Sequence, residues 1–117
     1  MLGWKNMVVA LTLSITAGPA WAQGESEIMQ AVGKQLDAYT LCLKMQAHDL
    51  ATQSQDAPEA IIDRALTACD TERQDLWEHL QAPPLNTDPD TANKAVRQLS
   101  AAMWPSMISI IEGARQP

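Results

Sequence analysis

The chain has 117 residues, a formal net charge of −6, no phenylalanine and only 4% aromatic residues. This length is enough for one domain. The acidic excess disfavours binding to nucleic acid or to an anionic membrane surface, because both repel it. With so few aromatic side chains, the core must be built from aliphatic residues, methionine and alanine.

The N-terminus has the pattern of a secretory signal peptide. Lys5 supplies the positive start, the 11 residues 7–17 are apolar, and residues 20–22 (Ala-Trp-Ala) form a small-x-small cleavage motif. An uncleaved membrane anchor would need about 20 apolar residues. We therefore expect a signal peptide over residues 1–22 and no stable membrane anchor after its removal.

The mature chain, residues 23–117, is expected to be a single helical domain. Cleavage removes Lys5 and no acidic residue, so the formal charge becomes −7. The expected location is the periplasm, with release from the cell as the alternative.

The first predicted helix covers residues 25–52. Apolar residues recur there at steps of three, four and seven, which is the spacing of one helix face. The residues of this stripe are Ile28, Val32, Leu36, Tyr39, Leu43 and Leu50. Residues 54–57 are expected to form a turn, in which Asp56 and Glu59 have the spacing of a capping box and Pro58 suits a first helical turn.

The second predicted helix continues to about Gln81, where Pro83 and Pro84 end it because neither can donate the helical hydrogen bond. Its apolar stripe is Ile62, Leu66, Cys69, Leu76 and Leu80.

The third predicted helix begins with Thr87 or Asp88 as its N-cap. Its apolar stripe is Ala92, Val96, Leu99, Met103, Met107 and Ile110. Pro105 interrupts the stripe, and an interior proline kinks or ends a helix. The helix is expected either to bend at Pro105 or to end there, with a short final helix reaching Gly113.

Cys42 and Cys69 are expected to form a disulfide, since two cysteines in an exported chain are normally oxidised. The apolar stripes support this pairing: an antiparallel register that places Cys42 opposite Cys69, within one residue, also pairs the stripes. The apolar pairs of that register are Val32 with Leu80, Leu36 with Leu76 and Leu50 with Ile62. The prediction is therefore an all-α fold: a disulfide-clamped antiparallel helical hairpin plus a third, proline-kinked helix, a small three- to four-helix bundle.

The sequence contains no phosphate-binding loop and no hydrolase or metalloprotease motif, so no enzymatic activity, metal or cofactor is expected. The thioethers of Met103 and Met107 suit Cu(I), but core packing explains their one-turn spacing equally well. Tryptophan and methionine are adaptable anchors at protein interfaces. Trp77, Met103, Trp104 and Met107 are therefore the expected partner-binding residues.

The expected function is non-enzymatic binding of another protein, or of a second copy of the chain, through helical surfaces. Immunity-type inhibitors of periplasmic toxins are one such class, since an acidic surface suits a basic toxin. The alternative is a periplasmic chaperone-like holdase, a stress protein that protects unfolded clients.

Overall fold

The computed structural model describes residues 19–117, with side chains from Glu27 onward. Most of the predicted signal peptide lies outside this range. Residues 31–117 form one compact unit, and the described residues before them, 19–30, belong to another. The described residues contain helices and no strand, which confirms the all-α prediction. The helices are α1 (Pro19–Gln53), α2 (Pro58–Ala68), α3 (Asp70–Gln81), α4 (Pro89–Ala102) and α5 (Trp104–Ala114).

Helix α1 contributes a buried stripe to the core of residues 31–117. Of the predicted stripe, Val32, Tyr39 and Leu43 are fully buried, and Leu36 and Leu50 are half-buried. Ile28 is 46% exposed, so its assignment to the core was wrong. Two alanines, Ala47 and Ala51, complete the buried stripe.

The turn after α1 forms at residues 54–57 as predicted, but its capping differs. The N-cap of α2 is Ala57, with no side-chain cap, because Pro58 is already the first helical residue. Asp56 therefore precedes the cap and cannot reach the first free N–H groups. Its carboxylate accepts a hydrogen bond from Arg64 Nη1 at 3.1 Å instead, and the predicted capping box is wrong.

The second predicted helix is divided into α2 and α3 at Cys69, where φ is −100° and ψ is 22°. Hydrogen bonding continues across the break: the Cys69 N–H donates to the Ala65 carbonyl, and its carbonyl accepts from Arg73 N–H, both at 3.0 Å. Residues 59–81 contain no glycine or proline, so nothing local to the sequence predicts this break. It coincides with the residue that is covalently bonded to α1.

The connection from α3 to α4 follows the sequence prediction closely. Helix α3 ends at Gln81, before the two prolines, and Asp88 is the N-cap of α4. The Asp88 carboxylate accepts hydrogen bonds from Thr91 N at 3.0 Å and Thr91 Oγ1 at 2.7 Å. Pro89 occupies the first helical position, where its missing N–H costs nothing.

The predicted interruption near Pro105 is confirmed as a one-residue break at Met103 between α4 and α5. Pro105 lies in the first turn of α5, where no intrahelical donor is required. The stripe resumes after the break with Met107 and Ile111 fully buried. Ile110, the residue predicted for this position, is only half-buried.

The end of α5 is tied to the end of α1 by one arginine. Arg115 donates from Nε to the Ala51 carbonyl at 3.2 Å and from Nη2 to the Ser54 carbonyl at 2.8 Å. The last carbonyls of a helix lack intrahelical donors. The guanidinium satisfies one of them, the Ala51 carbonyl, and interacts favourably with the helix dipole.

Candidate functional site

The predicted contact residue Trp77 is half-buried on α3 and packs against the core. Its indole Nε1 donates to the carbonyl of Pro89, the first residue of α4, at 3.3 Å. Trp77 therefore holds the start of α4 against α3, and part of its ring remains open to solvent.

The other three predicted contact residues lie at the break between α4 and α5. Met103 and Trp104 are half-buried against the core, whereas Met107 is fully buried. Met107 is therefore part of the core and does not line an open surface.

The structure does not bring Trp77 and Trp104 together. Trp77 contacts Pro89 at one end of α4, and Trp104 begins the helix that follows the other end. With a rise of about 1.5 Å per residue, the 14 residues of α4 separate these ends by about 21 Å. The predicted residues therefore form two small surfaces and not one patch.

An exposed apolar surface that the sequence analysis missed lies on α1. Every large hydrophobic side chain that is exposed in residues 27–117 belongs to this helix. Within the compact unit these are Leu41, 58% exposed, and Met45, 55% exposed; in the N-terminal unit they are Ile28 and Met29. Ala38 is also exposed. We refer to Ala38, Leu41 and Met45 as the outer face of α1.

The spacing of the outer face is regular. Its three residues occupy positions i, i+3 and i+7, so they form one stripe along a helix. At 100° per residue, this stripe lies on the side of α1 opposite the buried Leu43. The signal was present in the sequence as a second apolar stripe, but two large residues off the main stripe did not stand out.

The predicted disulfide between Cys42 and Cys69 is confirmed, with a Cα–Cα distance of 5.9 Å. Cys69 is fully buried, whereas Cys42 is half-buried and accessible from solvent. Both described cysteines are used in this bond.

A carboxylate lies directly beside the disulfide. One oxygen of Glu72 and the two sulfur atoms, of Cys42 and Cys69, are all within 4.8 Å of one another. Glu72 Oε2 is buried and has no hydrogen-bond partner. The three residues resemble a metal-ligand set, but sulfurs bonded to each other are not thiolate ligands. The unpartnered oxygen is thus an electrostatic feature of the disulfide's surroundings.

A groove of about 690 Å³ opens between α1, the α2–α3 break and α4. Its floor includes Tyr39, which is fully buried and whose hydroxyl is 2.6 Å from Ser100 Oγ. Ser100 Oγ donates to the Val96 carbonyl at 2.9 Å, so the Tyr39 hydroxyl donates to Ser100. At the rim, Arg73 is paired with Asp70 at 2.8 Å. These bonds satisfy the hydroxyl groups of the groove internally.

The hydrogen bonds of the α4 cap change the titration of Asp88. The side-chain hydrogen bond from Thr91, followed by the bond from the Thr91 N–H, lowers the pKa of Asp88 below its ordinary value of 3.8. Both bonds favour the charged carboxylate. The cap of α4 is therefore strongest when Asp88 is ionised.

Comparisons of the chain with protein-family models, curated proteins and solved structures find no match. Within residues 19–117, no helix has both the length and the hydropathy that crossing a membrane requires.

Proposed function

We propose that this protein is a small exported, non-enzymatic helical protein that binds another protein through the outer face of α1. The observation that carries the proposal is the exposed stripe of Ala38, Leu41 and Met45. Apolar residues at i, i+3 and i+7 are the spacing by which a helix docks into an apolar groove of a partner.

The exposure of two large apolar side chains to water supports the same proposal. Leu41 and Met45 are more than half exposed, so they contribute little buried area to the fold. The fold does not require leucine and methionine at these positions, and polar residues there would favour solubility. An adaptable thioether beside a leucine suits the centre of a protein interface.

Charge indicates the kind of partner. The net charge of −6, or −7 after the expected cleavage, steers the protein toward basic partners and away from acidic ones. We therefore propose a basic protein with an apolar groove, as expected for an inhibitor of the immunity type. Two further proposed contact surfaces lie at opposite ends of α4: Trp77 at its start, and Met103 with Trp104 at its end.

Site-specific photocrosslinking in the native host tests this proposal. A photoreactive amino acid at position 41 or 45 should give one discrete adduct with another protein. The matched control is position 98, an exposed polar residue on α4, which should give none. With the probe at 41, the change Met45→Asp should abolish the adduct, because a charge would be buried at the interface.

Each other result has a definite meaning. No adduct at 41 and 45, or equal adducts at 98, would contradict the proposal. An adduct of twice the chain mass would identify a second copy as the partner. The same probe at position 77 and at position 104 tests the two further surfaces in parallel.

The holdase alternative is favoured by one observation, the concentration of exposed methionine and aliphatic side chains on α1, because methionine-rich surfaces can repack around varied partners. A holdase would give a broad series of adducts that increases on acid exposure, when the carboxylates lose their charge. It would also protect client proteins from aggregation at low pH. A single adduct that is unchanged by acid would exclude this alternative.

A further inference from the structure

We propose that the Glu72 carboxylate slows thiol–disulfide exchange at the Cys42–Cys69 bond, and slows it most for anionic thiols. The proposal rests on the disulfide and its neighbour, and it is independent of the proposed function. Two observations support it. One carboxylate oxygen of Glu72 and both disulfide sulfurs lie within 4.8 Å of one another. The buried Glu72 Oε2 has no hydrogen-bond partner.

The charge of Glu72 is not neutralised nearby. Among the described residues, no lysine, arginine or histidine lies within 4.0 Å of its carboxylate. Arg73, the next residue along the chain, is paired with Asp70 at 2.8 Å. Glu72 Oε2 is shielded from water and the residue as a whole is half-buried, so solvent screens its field only in part.

Thiol–disulfide exchange at this bond brings two negatively charged sulfurs close to the Glu72 carboxylate: first the attacking thiolate and then the leaving thiolate. An attacking thiolate approaches Cys42, the half-buried cysteine, since Cys69 is fully buried. The new bond joins the reductant sulfur to Cys42 Sγ, the disulfide breaks, and its electron pair leaves with Cys69 as a thiolate. A second thiolate then attacks the mixed disulfide, releasing the oxidised reductant and the Cys42 thiolate. Both protein thiolates finally take protons from solvent.

The incoming and the leaving sulfur are both anionic beside the carboxylate. Like charges about 5 Å apart repel each other appreciably even at the effective dielectric constant of a partly solvated site. Repulsion of the leaving thiolate slows exchange with every thiol. Repulsion of the incoming thiol depends on its charge, so it is strongest for an anionic reductant and is reversed for a cationic one.

The test compares reduction rates of the full chain and its Glu72→Gln variant at neutral pH. The reductants are glutathione, which is anionic, 2-mercaptoethanol, which is neutral apart from its thiolate, and cysteamine, which carries an ammonium group. Alkylation of the released thiols followed by mass spectrometry gives the rates. Glu72→Gln should accelerate reduction by glutathione about tenfold or more, by 2-mercaptoethanol less, and by cysteamine least.

The matched control is Glu78→Gln, the same substitution on an exposed part of α3. It changes the net charge equally but lies about 9 Å farther along the helix, so it should leave all three rates nearly unchanged. Unchanged rates in Glu72→Gln would overturn the proposal, and so would equal acceleration by Glu78→Gln. Equal acceleration for all three thiols would also overturn it, because the charge of the incoming thiol would then have no effect.

Discussion

The two faces of α1 carry similar residues and have opposite environments. On the inner face, Tyr39 and Leu43 are fully buried; on the outer face, Leu41 and Met45 are more than half exposed. Leu41 and Leu43 are the same amino acid two positions apart on one helix. Their hydrophobicity is identical, and only the direction in which each side chain leaves the helix decides which one joins the core.

This difference separates residues that stabilise the fold from residues available for binding. Burial of a leucine side chain contributes about 1.5–3 kcal/mol, and Leu41 does not receive that contribution because it remains in water. The inner face accounts for stability and the outer face does not.

The largest expected effect is on the inner face. Leu43→Ala should lower the free energy of unfolding by about 2–5 kcal/mol, because it leaves a cavity in the core. Leu41→Ala, the matched control, should change it by no more than about 0.5 kcal/mol, as expected for a surface substitution. Urea denaturation followed by circular dichroism measures both values. Equal losses would show that the outer face is also part of the core.

The next effect concerns Cys42, whose half-buried side chain lies between the two faces. Replacing both cysteines with alanine should lower the free energy of unfolding by about 2–4 kcal/mol, because the bond constrains the unfolded chain. Chemical reduction of the unmodified protein should give a similar loss. A double variant as stable as the oxidised protein would show that packing alone holds α1 to the α2–α3 pair.

A smaller effect is expected from the one polar group of the inner face. Tyr39→Phe removes only the hydroxyl that donates to Ser100, and it should cost about 0.5–1.5 kcal/mol. Ser100→Ala removes the partner, and the double variant completes a mutant cycle. Losses from the two substitutions that add fully would contradict a hydrogen bond that links α1 to α4.

The smallest expected effect comes from Asp88, an exposed side chain that should still contribute to stability. The folded-state pKa of Asp88 is lowered, so its contribution is present above its ordinary value of 3.8 and disappears as the pH falls through the folded pKa. Asp88→Asn keeps a capping oxygen and removes the titration. Thermal melts from about pH 5 down to about pH 2 should therefore show a smaller acid-induced decrease in this variant. An identical decrease would exclude Asp88 as a contributor.

The two helix breaks show how far the sequence could predict the fold. Pro105 predicts a break near Met103, because proline lacks the N–H that a helix interior needs. The break at Cys69 has no such signal, since residues 59–81 contain neither proline nor glycine. Its position coincides with the disulfide, which is a contact between residues distant in sequence. Local chemistry was therefore sufficient for one break and not for the other.

The candidate surfaces follow the same division. Composition identified tryptophan and methionine as anchors, but it could not show that Trp77 and Trp104 lie at opposite ends of α4 or that Met107 is fully buried. Nor could it single out Leu41 and Met45, because a helix with two apolar stripes can bury either one. Which stripe is buried depends on the partners that pack against it.

The sequence by itself determined the helical segments, most of their ends and the Cys42–Cys69 pair, and it limited the cap of α4 to Thr87 or Asp88. The helical segments and their ends follow from the periodicity of apolar residues and from proline and capping chemistry, which act over a few residues. The disulfide follows from the number of cysteines, because two cysteines allow only one pairing. Only the tertiary structure decided which face of α1 is buried, where the second helix breaks, and that the Glu72 carboxylate lies beside the disulfide. The physical reason is that burial and unpaired charge depend on atoms brought together from distant parts of the chain.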